Sequence, residues 1–378
     1  MIRFHFPPVF EDSIKFMEDA MRKGETCGDY EYTMKCKEWI EKNMGVVDAY
    51  LTTSGTDALE LAAMLTVEPG DEVIVPSFTF VTTASSYVRQ GATPVFVDIR
   101  PDTMNIDENL IEDAITDKTK VICPVHYAGV GAEMDKIMEI AKKHDLMVVE
   151  DAAQGVYSQY KGKNLGAIGD IGCYSFHETK NYSMGEGGAT IFRDNAALGD
   201  EGERRRESGT NRRRYIRGEL DKYTWEFLGS SFLPADILAA NLYPQLLRAE
   251  EINVNRNHYW DLYAEQLAEL EQQGIVELMK VPESCTRFNA HMFYFKMKDI
   301  DERTEFIRYM MEDREIKVMS HYIPLHDTNG GRKYARFHGE DKWTTKESER
   351  LVRLPLYYNM GDDTVELICD AVKDFYKK

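Results

Sequence analysis

The sequence predicts an α/β protein: a largely parallel, helix-covered sheet followed by a smaller C-terminal α+β domain. Three observations carry this. Short apolar runs rich in β-branched residues, such as Val148-Val149 and Ile171 to Phe176, alternate with helical patterns from Ala49 to Phe192. Such runs are the mark of strands buried on both faces. Past Asn195 the alternation gives way to an arginine-rich segment and then to long helical stretches from Ala235 to Ala264. From residue 276 strand-like and helix-like stretches return as HMFYFKM, RTEFIRYMMED and KVMSHYIPLH. The division is placed at residue 250, giving a large domain over 1–250 and a small one over 251–378.

In chain order, Asp12 to Arg22 carries Ile14, Phe16, Met17 and Met21 at helical spacing, and Asp29 to Lys42 repeats the pattern. Tyr50 to Thr53 reads as a strand, and Ser54-Gly55-Thr56 as a turn feeding a helix. Further strands are expected at Glu72–Pro76, Thr93–Ile99, Lys120–His126, Leu146–Glu150, Ile171–Phe176 and Gly187–Phe192. Helices are expected near Asn109–Ile115 and over Glu133–His144, and a last amphipathic helix over Asp363–Tyr376. The polar-aromatic segments HYIPLH (from His321) and FHGEDKWTTKESER (from Phe337) read as loops, the usual place for binding residues.

Composition narrows the function classes. A net charge of -19 argues against general nucleic-acid binding, which needs a basic footprint. No run is long and apolar enough to span a membrane, and the first residues lack a secretory pattern, so a cytoplasmic setting is expected. Six scattered cysteines without a C-x-x-C pair indicate neither a metal site nor a disulfide framework. Seven arginines, Arg204, Arg205, Arg206, Arg212, Arg213, Arg214 and Arg217, concentrate positive charge in one segment of an acidic chain. Such a run is most often a solvated face. Here it is also a candidate anion-binding arm, with Arg212 as a candidate contact and Tyr223 and Trp225 flat enough to stack on a base or sugar.

The chemistry centres on Val148 to Gly188. One strand ends in Asp151, and the next is followed directly by Lys180. Side chains at the carboxyl ends of parallel strands point into a ligand crevice. A carboxylate and an amine delivered there suit pyridoxal phosphate (PLP), whose enzymes use a Lys Schiff base and an acidic partner for the ring nitrogen. The plain alternative is a salt bridge at the sheet edge. The small residues Ala152 and Ala153 and the glycines after Lys180 favour a flat ligand. Ser54-Gly55-Thr56 opens a helix whose free N–H groups suit a phosphate, although Ser and Thr also cap helices without any ligand. Phe80, in PSFTFVTTA, is the candidate to stack on the ring, against the usual fate of Phe in a core.

The motifs SGTDAL, PSFTFVTTA, VVEDAAQG and SFHETKNYSMGEGG resemble the DegT/StrS family of sugar-nucleotide aminotransferases over essentially the whole chain. The segments RPDTMNIDE, CPVHYAG, GTNR, DKYTW, NAHMFY and TTKESERLVRLPLYYN are most similar to its branch forming TDP-4-amino-4,6-dideoxygalactose. The resemblance implies PLP-dependent fold type I, with a mostly parallel seven-stranded sheet and a small C-terminal domain. It implies a homodimer with shared active sites, and amino transfer from L-glutamate to C4 of TDP-4-keto-6-deoxy-D-glucose for cell-surface polysaccharide. Carried over by position, Lys180 is the Schiff-base lysine, Asp151 meets the ring nitrogen and Gln154 lies beside the ring. Thr56, Asp57 (through its backbone) and Ser175 hold the phosphate, and Phe80 stacks. Many members carry an Asn in a G-[aromatic]-N motif that reaches the partner's phosphate. This chain has Gly229-Ser230-Ser231, making Ser231 the candidate there. His326, ending HYIPLH, is the candidate sugar contact. Other outcomes within the family are a gluco-configured product, another nucleotide, a dehydratase with His in place of the lysine, or a non-catalytic regulator. Lys180 argues against the last two.

Overall fold

The structure, a computed structural model, describes residues 1–377. Its large sheet runs, edge to edge, through Asp48–Thr52, Gly188–Phe192, Ile171–Ser175, Met147–Asp151, Thr119–Ile122, Glu72–Pro76, Thr93–Val97 and Arg336–Phe337. Gly188–Phe192 runs antiparallel to both its neighbours, and the other pairings are parallel. Seven strands match the expected set. The eighth is two residues long and comes from a segment expected to be loop. Its own Arg336 anchors it, the guanidinium donating to both oxygens of Glu72 at 3.0 and 2.8 Å. The expected loop also holds a helix, Thr344–Arg350.

Almost every position in these strands is buried, because helices cover both faces. One face packs against Gly55–Thr66 and Val81–Arg89, the other against Met134–His144. The first of these helices is capped by Ser54, whose hydroxyl accepts from the Asp57 N–H at 3.0 Å.

The chain then forms two consecutive helices, Asp236–Leu247 and Ala249–Gln272, with the break at Arg248. A second sheet, Glu277–Leu278, Phe293–Lys296 and Leu351–Leu354, is antiparallel. It buries Phe293 and Phe295 against Tyr263, Phe306, Ile368 and Val372, from three helices, in a core of its own. The stretch from Lys317 to His326 adds only a bridge, Met319 with Arg353, rather than a full strand. Between the sheets lies a cluster that includes Phe78, Tyr127, Met292, Tyr294 and Leu351. Among the described residues no helix is long and apolar enough to cross a membrane.

Candidate active site

The carboxyl ends of Met147–Asp151 and Ile171–Ser175 are neighbours in the sheet, so Asp151 and Ser175 emerge on the same side. Both line a cavity of about 570 Å³ that also takes in Ser54, Gly55, Thr56, Phe80, Gln154 and Lys180. The residues expected from widely separated motifs therefore meet in one place. The small sheet closes the other wall with His291, Met319, His321, Tyr322 and Arg353.

Asp151 is almost fully buried. Thr83 Oγ1 donates to its Oδ2 at 2.7 Å, and the Ala153 N–H donates to its Oδ1 at 3.1 Å. Thr79, four residues earlier and just before the helix Val81–Arg89, lies 2.7 Å from Thr83, hydroxyl to hydroxyl. Burial pushes the Asp151 carboxyl above its ordinary range, and these two donors and the charge of Lys180 pull it back. Behind it the Ala132 N–H donates to His126 Nδ1, so His126 Nε2 carries the proton and donates to buried Glu150 at 2.7 Å. Glu150 also accepts from the N–H groups of Gly166, Ile168 and Gly169. This fixed network holds the strand end that presents Asp151.

Lys180 follows a turn in which its N–H donates to the His177 carbonyl at 2.9 Å. Its side chain enters the cavity, and burial lowers the amine to about 8, with Arg353 adding to the effect and Asp151 opposing it. Among the described residues no ion pair joins Lys180 to Asp151. The plain salt bridge is not formed, and both groups line the same cavity.

The helix at Gly55 and the strand ending at Ser175 touch. A Cβ on Gly55 would lie 2.8 Å from the Ser175 Cβ and 3.0 Å from its hydroxyl. Only glycine permits this approach, which sets the Ser175 hydroxyl beside the open first turn of a helix. Gly55 and Thr56 present N–H groups there that the helix itself leaves without partners. Asp57 is a correction. Its N–H is taken by the Ser54 cap, its carboxylate accepts from the Thr53 and Ser54 hydroxyls, and it does not line the cavity. Phe80 is half-exposed at the mouth. Gln154 accepts from the Ala128 N–H at 2.6 Å and donates to the Tyr322 hydroxyl at 3.0 Å, tying the two walls together. An acid held facing the cavity, an uncharged-prone amine, an anion cradle and a free aromatic face fit PLP.

Other expected residues lie elsewhere. His326 is outside the cavity, with Nδ1 2.7 Å from the Ser77 hydroxyl and Nε2 3.1 Å from Asp341, so both ring nitrogens are engaged. His321 and Tyr322, at the other end of HYIPLH, line the cavity instead. Arg212, Tyr223, Trp225 and Ser231 do not line it either. Each of the seven clustered arginines has a carboxylate partner: Asp29, Asp200, Glu201, Glu203, Glu207, Glu219 or Glu226. Their charge is therefore largely balanced within the chain, which corrects the expectation of a free anion-binding arm. Sequence reasoning missed Thr83, Tyr322 and Arg353. The four-residue Thr79–Thr83 spacing was the available signal for the first.

Residues 9–373 match the model of the DegT/DnrJ/EryC1/StrS aminotransferase family. The chain is 33% identical to the spore coat polysaccharide biosynthesis protein SpsC of Bacillus subtilis, over 88% of this chain and 87% of that protein. It is 28% identical to GDP-perosamine synthase of Escherichia coli O157:H7, over 98% of each. The sugar aminotransferase Spr1654 of Streptococcus pneumoniae in its PMP form, described as putative, superposes with a TM-score of 0.90 at 27% identity, covering 100% of this chain and 99% of that one. The same protein is also known in a PLP form.

Proposed function

The chain belongs to the DegT/DnrJ/EryC1/StrS aminotransferase family, and from that premise we propose that it moves the amino group of L-glutamate to C4 of TDP-4-keto-6-deoxy-D-glucose. The product is the galacto-configured 4-amine, a precursor of cell-surface polysaccharide. The chain is an aminotransferase, and its cofactor is PLP. One observation carries the assignment of the site: Asp151 and Lys180 face the same cavity beside the Gly55–Ser175 cradle.

When bound, PLP withdraws electrons from the carbon that loses a proton. The work of the chain's own residues follows from their placement. The Gly55 and Thr56 N–H groups and the Ser175 hydroxyl would hold the phosphate, and Phe80 would stack on the ring. Asp151 would keep a proton on the ring nitrogen. Lys180 would hold the cofactor and serve as the base that takes the proton from the donor's α-carbon. It would later deliver one to C4 of the sugar, as a positioned base and acid. Its amine, lowered to about 8, gives up its proton far more readily than an ordinary lysine. One site serves both half-reactions, so initial-rate plots should be ping-pong.

Thr83 positions Asp151, and its hydroxyl favours the ionised carboxylate against the effect of burial. Removing a hydrogen bond to a charged group costs about 1.5–3 kcal/mol. In cofactor-free protein, Thr83→Val should raise the Asp151 titration, read by NMR of carboxyl-labelled aspartate. Thr83→Ser should restore it. An unchanged titration in the valine variant removes Thr83 from this role.

A homodimer with shared sites agrees with the exposed apolar side chains of Tyr223, Trp225 and Leu228, which Ser231 follows closely in the chain. The GDP sugar in the name of one relative supports a second reading, the same chemistry on another nucleotide. The test is a panel of TDP-, UDP- and GDP-linked keto sugars with glutamate, products being identified by mass and their C4 configuration by NMR. The proposal expects turnover of the TDP sugar to the galacto amine. Turnover of a GDP sugar alone, or a gluco product, replaces it.

A further inference from the structure

Lys180 carries its amine on a flexible four-carbon stem, yet a group that moves protons must sit within hydrogen-bond reach of the atom it serves. Asn181, next in the chain, is buried and opens a series of fixed contacts. Its Nδ2 donates to the Asn289 carbonyl at 2.7 Å. A carbonyl only accepts, so the amide holds one orientation, and its Oδ1 faces His291 Nδ1 at 3.0 Å. That oxygen also only accepts. The Nδ1 of His291 therefore carries the ring proton, and its Nε2 is bare. Among the described residues no donor reaches this Nε2.

The platform under His291 is rigid. Asn289 is buried, and its Nδ2 donates to the carbonyls of Gln154 and Val156 at 2.8 and 2.9 Å. Its Oδ1 accepts the His291 N–H at 3.0 Å. Ala290, between them, has a φ of 44°, a left-handed conformation that alanine keeps only where its surroundings hold it. Buried Arg256 supplies the hold. It donates to the Ala290 carbonyl through Nε and Nη2 at 3.1 and 3.0 Å, and to the His291 carbonyl at 2.8 Å. The ring so fixed lines the main cavity together with Lys180. The same two side chains also line a second cavity of only about 10 Å³, so they are neighbours.

The charged and titratable groups around His291 are Lys180, Arg256, Arg353, His5 and His321. Burial, with the charges of Lys180, Arg256 and Arg353, holds His291 well below the ordinary histidine range, so the ring stays neutral. A neutral ring with a bare nitrogen accepts a hydrogen bond without adding a charge. We propose that His291 is the positioning residue of the Lys180 amine, its Nε2 accepting from Lys180 Nζ and aiming the amine into the cavity whenever it is free of the cofactor. The inference rests on the reading of Lys180 as cofactor anchor and base. Asn181, Asn289 and Arg256 then serve to keep one tautomer and one ring position.

Two measurements on the cofactor-free full chain test this. In the first, nitrogen NMR of ¹⁵N-histidine protein reads the tautomer, with His291→Gln identifying the signal. The expected form at pH 7 is neutral with the proton on Nδ1. A proton on Nε2, or a charged ring, overturns the proposal. In the second, competitive acetylation across pH, with mass mapping of the Lys180 peptide, reads the titration of the amine. His291→Leu takes the acceptor from the ammonium, so it should move this titration down from about 8 and make labelling at pH 7 severalfold faster. His291→Gln, which offers a carbonyl oxygen near the place of Nε2, should return most of the shift. A purely structural role has the opposite sign, because a loosened wall admits water and raises the titration toward 10.5. A rise, no change, or a glutamine variant as low as the leucine variant overturns the proposal. Should the leucine variant not fold, the wild-type tautomer decides. Borohydride reduction of the holoenzyme checks the underlying reading separately. If it labels Lys180 while the leucine variant leaves the titration unmoved, His291 is wrong and the lysine stands. If it labels another lysine, both fall.

Discussion

Substituting Lys180 by methionine should abolish turnover while making the cofactor-free protein more stable at neutral pH. The loss of turnover follows from removing the amine that shares the cavity with Asp151. A positioned acid–base group is worth about 10²–10⁴-fold by itself, and here the same group also holds the cofactor. The loss should therefore be at least about 10⁴-fold. The stability gain follows from burial, which lowers the amine from 10.5 to about 8. The unfolded chain binds this proton more tightly than the folded chain does. Below pH 8 the folded protein thus carries a buried charge at a cost of roughly 3 kcal/mol, from 1.36 kcal/mol per pKa unit. That cost fades as pH rises from about 8 to 10.5, where both states lose the proton. Methionine keeps the apolar stem and removes the charge. Urea unfolding of both cofactor-free proteins should show the variant ahead at pH 7, by up to about 3 kcal/mol, and level with wild type near pH 10.5. A variant less stable at pH 7 would show that the amine is not held at a cost.

Asp151→Asn should bind PLP yet turn over about 10³-fold more slowly. The asparagine can keep the contact with the Thr83 hydroxyl and nearly the same shape, so the site survives. What disappears is the negative charge facing the ring nitrogen. At about 4 Å and an effective dielectric of 20, that charge is worth on the order of 4 kcal/mol, which converts to roughly 10³ in rate. Both half-reactions need the protonated ring, so single-turnover rates with glutamate and with keto sugar should fall together. A variant as fast as wild type in either half-reaction removes Asp151 from its role. The Thr83 titration described above separates loss of charge from loss of orientation.

The large sheet was legible because its strands are short, buried on both faces and β-branched. Val148, Val149 and Ile171 mark where the strands run, and hence where Asp151 and Ser175 emerge. The two-residue edge strand Arg336–Phe337 was not legible. It is held by pairing to Val95 and Phe96 and by Glu72, far away in sequence, and has no periodicity of its own. The arginine segment shows the same limit in its charges. Seven cations are visible in the sequence, but their carboxylates only in three dimensions, for instance Asp29 beneath Arg206 and Arg213. In HYIPLH nothing local decides which histidine faces the cavity. Packing turns His321 inward, while Ser77 and Asp341 hold His326 outside. Asp57 was misplaced because a helix start offers its N–H groups to a cap or to a ligand, and the Ser54 cap takes this one. Arg353 hides in an otherwise apolar strand, LVRL, and only the fold brings it to the cavity.

The central claim is that the cavity between Asp151 and Lys180 seats the cofactor, with Lys180 as its covalent anchor. Borohydride reduction of the holoenzyme, followed by protease digestion and mass mapping of the labelled peptide, tests it most directly. The label should appear on Lys180 alone, and Lys180→Met should take up none. A label on any other lysine, or full labelling in the methionine variant, would contradict it.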